Sequence, residues 1–234
     1  MISFVIPAHD EEDYLDRTLE SVNRAGRELG LSFETVVVND ASSDRTVEVA
    51  EQYGARVISV DVRQIAAARN AGAKATTGEM LIFVDADTVC TAAVVGAAVS
   101  AMQAGAAGGG CAFRFDGHLP AYGRALQAVA NPIYRVLKLA SGCFLFCTRE
   151  AFESIGGFDE TLFAAEEAAM SRSLRRQGRF VVLREQVLTS GRKLRAYSAY
   201  EVLGLLIRLA LSGKNAVRRR DGLEIWYGPR RDDP

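Results

Sequence analysis

The sequence predicts an α/β domain built on a mixed, mostly parallel central sheet flanked by helices. Two observations carry that prediction. In the first hundred residues, short β-branched runs alternate with amphipathic segments of helical length, the signature of βαβ units. Polar residues also gather at the C-terminal ends of those runs, where open α/β sheets bind their ligands. With 49% hydrophobic and 24% charged residues the composition is that of a globular protein, and 234 residues bury a core without disulfide or metal staples.

The elements follow in order. SFVIP (3–7) is a strand, and the next helix starts near Asp10 as N-cap, with Glu11, Glu12 and Asp13 in its first turn and Leu15, Leu19 and Val22 on one face. FETVVVND (33–40) is a second strand, followed by the turn ASSD and a helix that Gly54 closes. ARVISV (55–60) is a third strand, IAAARNAGAKA a third helix and EMLIFVDAD a fourth strand. Beyond Thr91 come an alanine-rich helix to 104, a flexible AGAAGGG, a strand CAFRF and a helix from about Pro120 to Leu139. GCFLFC (142–147) is a strand, TREAFESIGGF a short helix closed by two glycines, and AEEAAMSRSLRRQG a helix ending at Gly178. FVVLREQVLTS is strand-like, and a last long helix lies within Tyr197 to Arg218.

A net charge of -1 excludes a global attraction to nucleic acid or anionic lipid, so any such contact is local. MISFVIPAHDEE has no basic leader region and is not a secretory signal, which points to the cytoplasm. Cys90, Cys111, Cys143 and Cys147 have no CxxC or zinc spacing and read as reduced, packed thiols. VLGLLIRLAL (202–211) contains Arg208 and is about half the length of a membrane span.

Asp85 and Asp87 end an apolar run as DAD. On an extended segment they face one side, about 6 to 7 Å apart, and their repulsion calls for a cation such as Mg2+ or Mn2+; an ordinary solvated turn is the alternative. Asp40 either forms a turn with Asp44 capping the next helix or accepts from a nucleotide base or ribose. Glu11 is a pocket carboxylate or a first-turn helix residue. Arg69 clamps a diphosphate or pairs with one of the acidic loops. Glu166 and Glu167 are dipole-favoured residues of a helix start, or one of them is a general base. No GxxxxGK[ST], GxGxxG or GxSxG is present, and neither His9 nor His118 has a serine partner, which removes support for P-loop, dinucleotide and triad chemistry.

Together these segments resemble a family 2 glycosyltransferase of the GT-A fold, the nucleotide-diphospho-sugar transferase architecture, from residue 3 to about 195. FVIPAHDEEDYLDRTLESV is similar to that family's opening segment, VVVNDASSDRT to its nucleotide-binding aspartate motif, ARNAG with TGE to the segment before the metal site, VDADT to its DxD motif, and GGFDE followed by EE and LRRQG to the acceptor-side motif. The resemblance implies a nucleotide pocket lined by Pro7, Ala8, Glu11 and Asp40 and extended by Arg69 and Asp85. It implies a Mn2+ or Mg2+ ligated by Asp87, and a catalytic base at Glu167, preceded by Glu166, where the family carries aspartate. A later histidine that the family often gives to the metal is missing from LTSGRKLR, where Ser190, Arg192 and Lys193 are candidates for contacting phosphate or acceptor. The implied activity is metal-dependent, inverting transfer from a nucleotide-diphospho-sugar, a UDP-sugar first, to a hydroxyl acceptor that is a saccharide, lipid-linked or small molecule. Competing readings are a nucleotidyltransferase, which the acidic PAHDEE disfavours, and a non-catalytic sugar-nucleotide-binding protein. The expected domain limits are 1–195 for the catalytic domain and 196–234 for a C-terminal helix and tail. That helix, with Lys214, Arg218, Arg219 and Arg220 behind it, either packs on the domain, lies at a membrane surface or forms a homodimer contact, and Trp226 anchors the tail in each case.

Overall fold

The computed structural model describes residues 1–228 and 231; residues 229, 230 and 232–234, and the side chains of 210–216 with Lys214 among them, lie outside the described residues. In chain order the elements are β1 (Ile2–Ala8), α1 (Leu15–Glu28), β2 (Phe33–Asp40), α2 (Thr46–Gln52), β3 (Arg56–Val60), α3 (Ile65–Ala75), β4 (Met80–Val84), β5 (Thr88–Val89) and α4 (Ala92–Gln103). There follow β6 (Ala106–Phe115), α5 (Ala121–Leu137), β7 (Phe144–Thr148), α6 (Arg149–Ser154), α7 (Glu166–Gln177), β8 (Arg179–Thr189), α8 (Arg192–Ala196), α9 (Ala199–Ala216) and α10 (Glu224–Tyr227).

The strands form one sheet in the order β3-β2-β1-β4-β7-β6-β8-β5. β1 pairs parallel with β2 and β4, and β2 parallel with β3, whereas β7 is antiparallel to both of its neighbours. Strand period explains why both faces are covered. Ile2, Phe4 and Ile6 of β1 join Leu15, Leu19, Val94 and Val95 in one core, while Val5 joins Ala68, Phe152, Met170 and Leu174 in the other. The order turns back between β1 and β4, and such a switch point opens a crevice at the strands' carboxyl ends.

Three expectations are corrected. α1 begins at Leu15, not near Asp10, because the acidic run is tied to the loop after β2. Asp10 has φ +51° and its Oδ1 accepts from Ser43 N, Glu11 N donates to Thr46 Oγ1, and Glu12 accepts from Arg45 N. Only Ala104 and Gly105 of AGAAGGG form a turn; the other five residues, 106–110, open strand β6, inside the sheet between β7 and β8. A Cβ on Gly109 would stand 2.1 Å from the Val181 carbonyl and 2.4 Å from the Phe146 ring, so a bare backbone is required there. β4 stops at Val84, and Thr88 N donates to Asp85 O at 3.1 Å, which puts DAD in a turn and removes the extended geometry assumed for its two aspartates. Ala86 between them is buried in the core.

The end of the chain packs on the rest. Val202 of α9 meets Leu194 and Leu119, Leu223 is fully buried, and the rings of Phe163 and Tyr227 lie 5.8 Å apart. Trp226 stays partly exposed. Among the described residues no helix is long and apolar enough to cross a membrane. The four cysteines are buried and unpaired, as expected.

Candidate active site

β1, β2 and β4 deliver Pro7 and Ala8, Asp40, and the DAD turn to one edge of the sheet, and the loop after β1 adds Glu11. α3 brings Arg69, the start of α7 brings Glu166 and Glu167, and α8 brings Arg192 and Lys193. The side chains form two triads, each an arginine between two carboxylates. In one, Arg192 Nη2 lies 2.7 Å from Glu11 Oε1 and 3.2 Å from Asp87 Oδ2, with its guanidinium 4.5 Å over the Tyr14 ring. In the other, the buried Arg69 bridges Asp85 Oδ1 at 2.9 Å and Glu166 Oε1 at 2.7 Å, and also donates to Gly142 O. Arg69 thus takes the ion-pair role that the sequence left open, and it pairs with two acidic segments at once.

Burial works against the charge on Arg69, but Asp85, Glu166 and Glu167 outweigh it and hold the guanidinium firmly protonated. Burial pushes the Asp85 carboxyl up, Arg69 opposing and Asp87 adding to the shift. Lys193 is pushed down by burial despite the pull of Asp87 and Asp85. Glu167 is pushed up to about 8, first by burial and then by Glu166 beside it, with which it shares a hydrogen bond. A carboxyl so tuned can hold and release a proton near neutrality.

Asp40 is employed structurally. Its carboxylate accepts from the backbone N–H of Val62, Arg63 and Gln64 at 2.8, 2.9 and 3.2 Å, fixing the entry into α3. His9 is a loop residue whose Nδ1 lies 2.6 Å from Asp40 O.

Among the described residues no group of three or more His, Cys, Asp or Glu side chains could hold a metal. The chain alone therefore offers a hard cation Asp87, with Asp85 one turn residue away. Magnesium-like ions are commonly held by one or two carboxylates plus substrate phosphates and water, and the donor set fits that mode when a phosphate-bearing ligand shares the ion. The sequence missed the contacts that organise the edge: Tyr14 under Arg192, Thr189 Oγ1 donating to Asp87 Oδ1 at 3.3 Å, and Asp85 N donating to Cys143 O. The polar cluster TSGRK at the end of β8 was the signal for the Thr189 and Arg192 contacts.

A mixed, mostly parallel sheet with its site at the β1/β4 switch point defines the GT-A class, and solved structures share it. The chain superposes on the mannosyltransferase PcManGT from Pyrobaculum calidifontis in complex with GDP-Man and Mn2+ with a TM-score of 0.68 at 19% identity, covering 90% of this chain and 61% of that one. It superposes on glucosyl-3-phosphoglycerate synthase from Mycobacterium tuberculosis in complex with Mn2+, UDP and glucosyl-3-phosphoglycerate with a TM-score of 0.63 at 22% identity, covering 98% and 81%. Residues 3–156 match Glycosyl transferase family 2, and the chain belongs to that family. Over 94 residues it is 37% identical to undecaprenyl-phosphate 4-deoxy-4-formamido-L-arabinose transferase of Pseudomonas paraeruginosa, 37% of this chain but only 28% of that relative. It is 36% identical over 93 residues to 4,4'-diaponeurosporenoate glycosyltransferase of Staphylococcus haemolyticus, 37% of this chain and 24% of the relative. The match thus spans about a quarter of these relatives' length, and Glu166, Glu167, Arg192 and Lys193 lie beyond the family-matched segment.

Proposed function

We propose that the protein is a cytoplasmic, inverting glycosyltransferase that moves a sugar from a nucleotide-diphospho-sugar, a UDP-sugar first, to a hydroxyl acceptor. The observation that carries this reading is the pair of charge triads at the sheet's switch point, Glu11–Arg192–Asp87 and Asp85–Arg69–Glu166, with the proton-holding Glu167 beside the second. The donors named for the two superposed structures, GDP-Man and UDP, support a nucleotide sugar. The domain limits of 1–195 and 196–234 belong to the same proposal.

In this reading Pro7, Ala8, Glu11 and Asp40 border the nucleoside, and Asp85 and Arg69 border the sugar-diphosphate. Arg192 and Lys193 face the phosphates, where two cations oppose the charge that builds as the nucleoside diphosphate departs. Mn2+ or Mg2+ held by Asp87 and the phosphates would add Lewis-acid stabilisation of the same leaving group. Glu167 takes the proton of the acceptor hydroxyl, and Glu166, pinned by Arg69, sets its position. Attack on the anomeric carbon from the face opposite the leaving group breaks one bond as the other forms and inverts the centre, so no enzyme nucleophile is needed.

The test is a thermal-shift screen of UDP, GDP and their sugars with and without Mn2+. Nucleotide and metal together should stabilise the protein, by about 2.7 kcal/mol at a hundredfold excess over Kd. Asp87→Ala should lose the metal-dependent part. No response to any nucleoside diphosphate in the presence of Mn2+ would overturn the reading.

A further inference from the structure

α5 carries two apolar stripes, and among the described residues only one has a partner. Inward, Leu126 packs by Leu194, and Ala130 and Tyr134 pack on the sheet's core. Outward, Val129, Ile133, Val136 and Leu137 are exposed at a spacing that lines one helix face, Val136 at 81%. α9 repeats the pattern with Tyr200 at 90% and with Leu203, Leu206 and Ile207. Both helices start at one hub, where Tyr122 Oη donates to Tyr197 O at 2.6 Å and Val202 meets Leu194.

Beyond Glu201 in the first turn of α9, their charge is one-signed. Between Asp116 and Glu150 the sequence has no acidic residue but carries Arg124, Arg135, Lys138 and Arg149, and between Glu201 and Asp221 it has none but carries Arg208, Lys214, Arg218, Arg219 and Arg220. Arg124, Arg135, Lys138 and Arg208 are exposed. In a chain of net charge -1 this is a strong local excess. An apolar stripe edged by cations fits the boundary between headgroups and acyl chains of an anionic bilayer. A second copy fits poorly, because a two-fold contact sets the same patch, and its cations, against itself.

We propose that the outer faces of α5 and α9 seat the protein on an anionic membrane surface. The loop leaving α5 runs into the active-site wall, where Gly142 O holds Arg69 and Cys143 O accepts from Asp85 N. Resting on the transfer reading above, this makes the acceptor a hydroxyl compound carried in that bilayer.

Flotation of the full chain tests the seat, with vesicles of phosphatidylcholine alone and with about one-third phosphatidylglycerol. The protein should float with the anionic vesicles and not the neutral ones, and high salt should release it. The double variant Ile133→Glu, Val136→Glu should reduce the bound fraction at least tenfold while melting as the wild type does and keeping its response to UDP with Mn2+. Failure to float, equal flotation with neutral vesicles, or a dimer by light scattering that the same variant dissociates would overturn the proposal. Should flotation succeed while no nucleotide stabilises the protein, the seat stands and the transfer reading falls.

Discussion

In the proposed mechanism, Glu167 is the residue on which the chemistry turns. A base whose proton is held up to about 8 gives a rate that climbs roughly tenfold per pH unit below that value and then levels. Glu167→Gln should keep nucleotide and Mn2+ binding and lose transfer by about a hundredfold or more, and wild-type turnover in that variant would remove Glu167 from the mechanism. Arg192 stands in a different relation to the site, since it pairs with the carboxylate assigned to the metal. Arg192→Ala should tighten Mn2+ binding in the absence of nucleotide, read by the spin resonance of the free ion, while weakening UDP binding. An unchanged Mn2+ titration would show that the pair does not compete with metal. The carboxylates were legible in the sequence because they sit in short motifs. Arg69 was legible as pairing with an acidic loop or a diphosphate, but not which carboxylates it meets, since Arg69 and Glu166 are 97 residues apart and only the fold brings them together.

At the level of elements, periodicity located most helices and strands, and the errors have physical causes. AGAAGGG has the composition of a flexible loop, but packing of Gly108, Gly109 and Gly110 between β7 and β8 leaves no room for side chains and overrides the preference for a loop. The acidic run after β1 has the composition of a helix start, yet its hydrogen bonds go to a loop more than thirty residues away in sequence. α5 shows a related long-range debt. β7 pairs with β6 only as far as Gly110, and beyond it Asn131 of α5 accepts from Phe113 N at 3.0 Å and donates to Phe113 O at 2.8 Å. Asn131→Leu leaves both backbone groups without that partner and should cost about 1–3 kcal/mol in urea denaturation with the slope unchanged.

For the whole molecule, stability should bend with pH in opposite senses at two carboxyls. Glu34, which burial would raise, is held down to about 2 by hydrogen bonds from Thr77 N–H and from Ser3, Arg56 and Thr77 side chains; its contribution is present above about 4.5 and fades as pH falls toward 2. Glu167 holds a proton in the folded state that the unfolded chain releases, so folding becomes less favourable as pH rises from about 4.5 to about 8. Melting temperature should therefore peak near the lower end of that window and decline by several degrees toward pH 8. In Glu167→Gln the decline should flatten, and an equal decline would refute the assignment. The guanidinium of Arg69, shared between Asp85 and Glu166, has a further consequence for descent. Losing Arg69 strands the buried carboxylate of Glu166, and losing either carboxylate leaves the buried guanidinium with one anion where it had two; both are costlier than replacing the set with apolar groups. The expected consequence is that the three positions change together, because a joint apolar replacement avoids the unpaired charge that a change at Arg69 alone would leave.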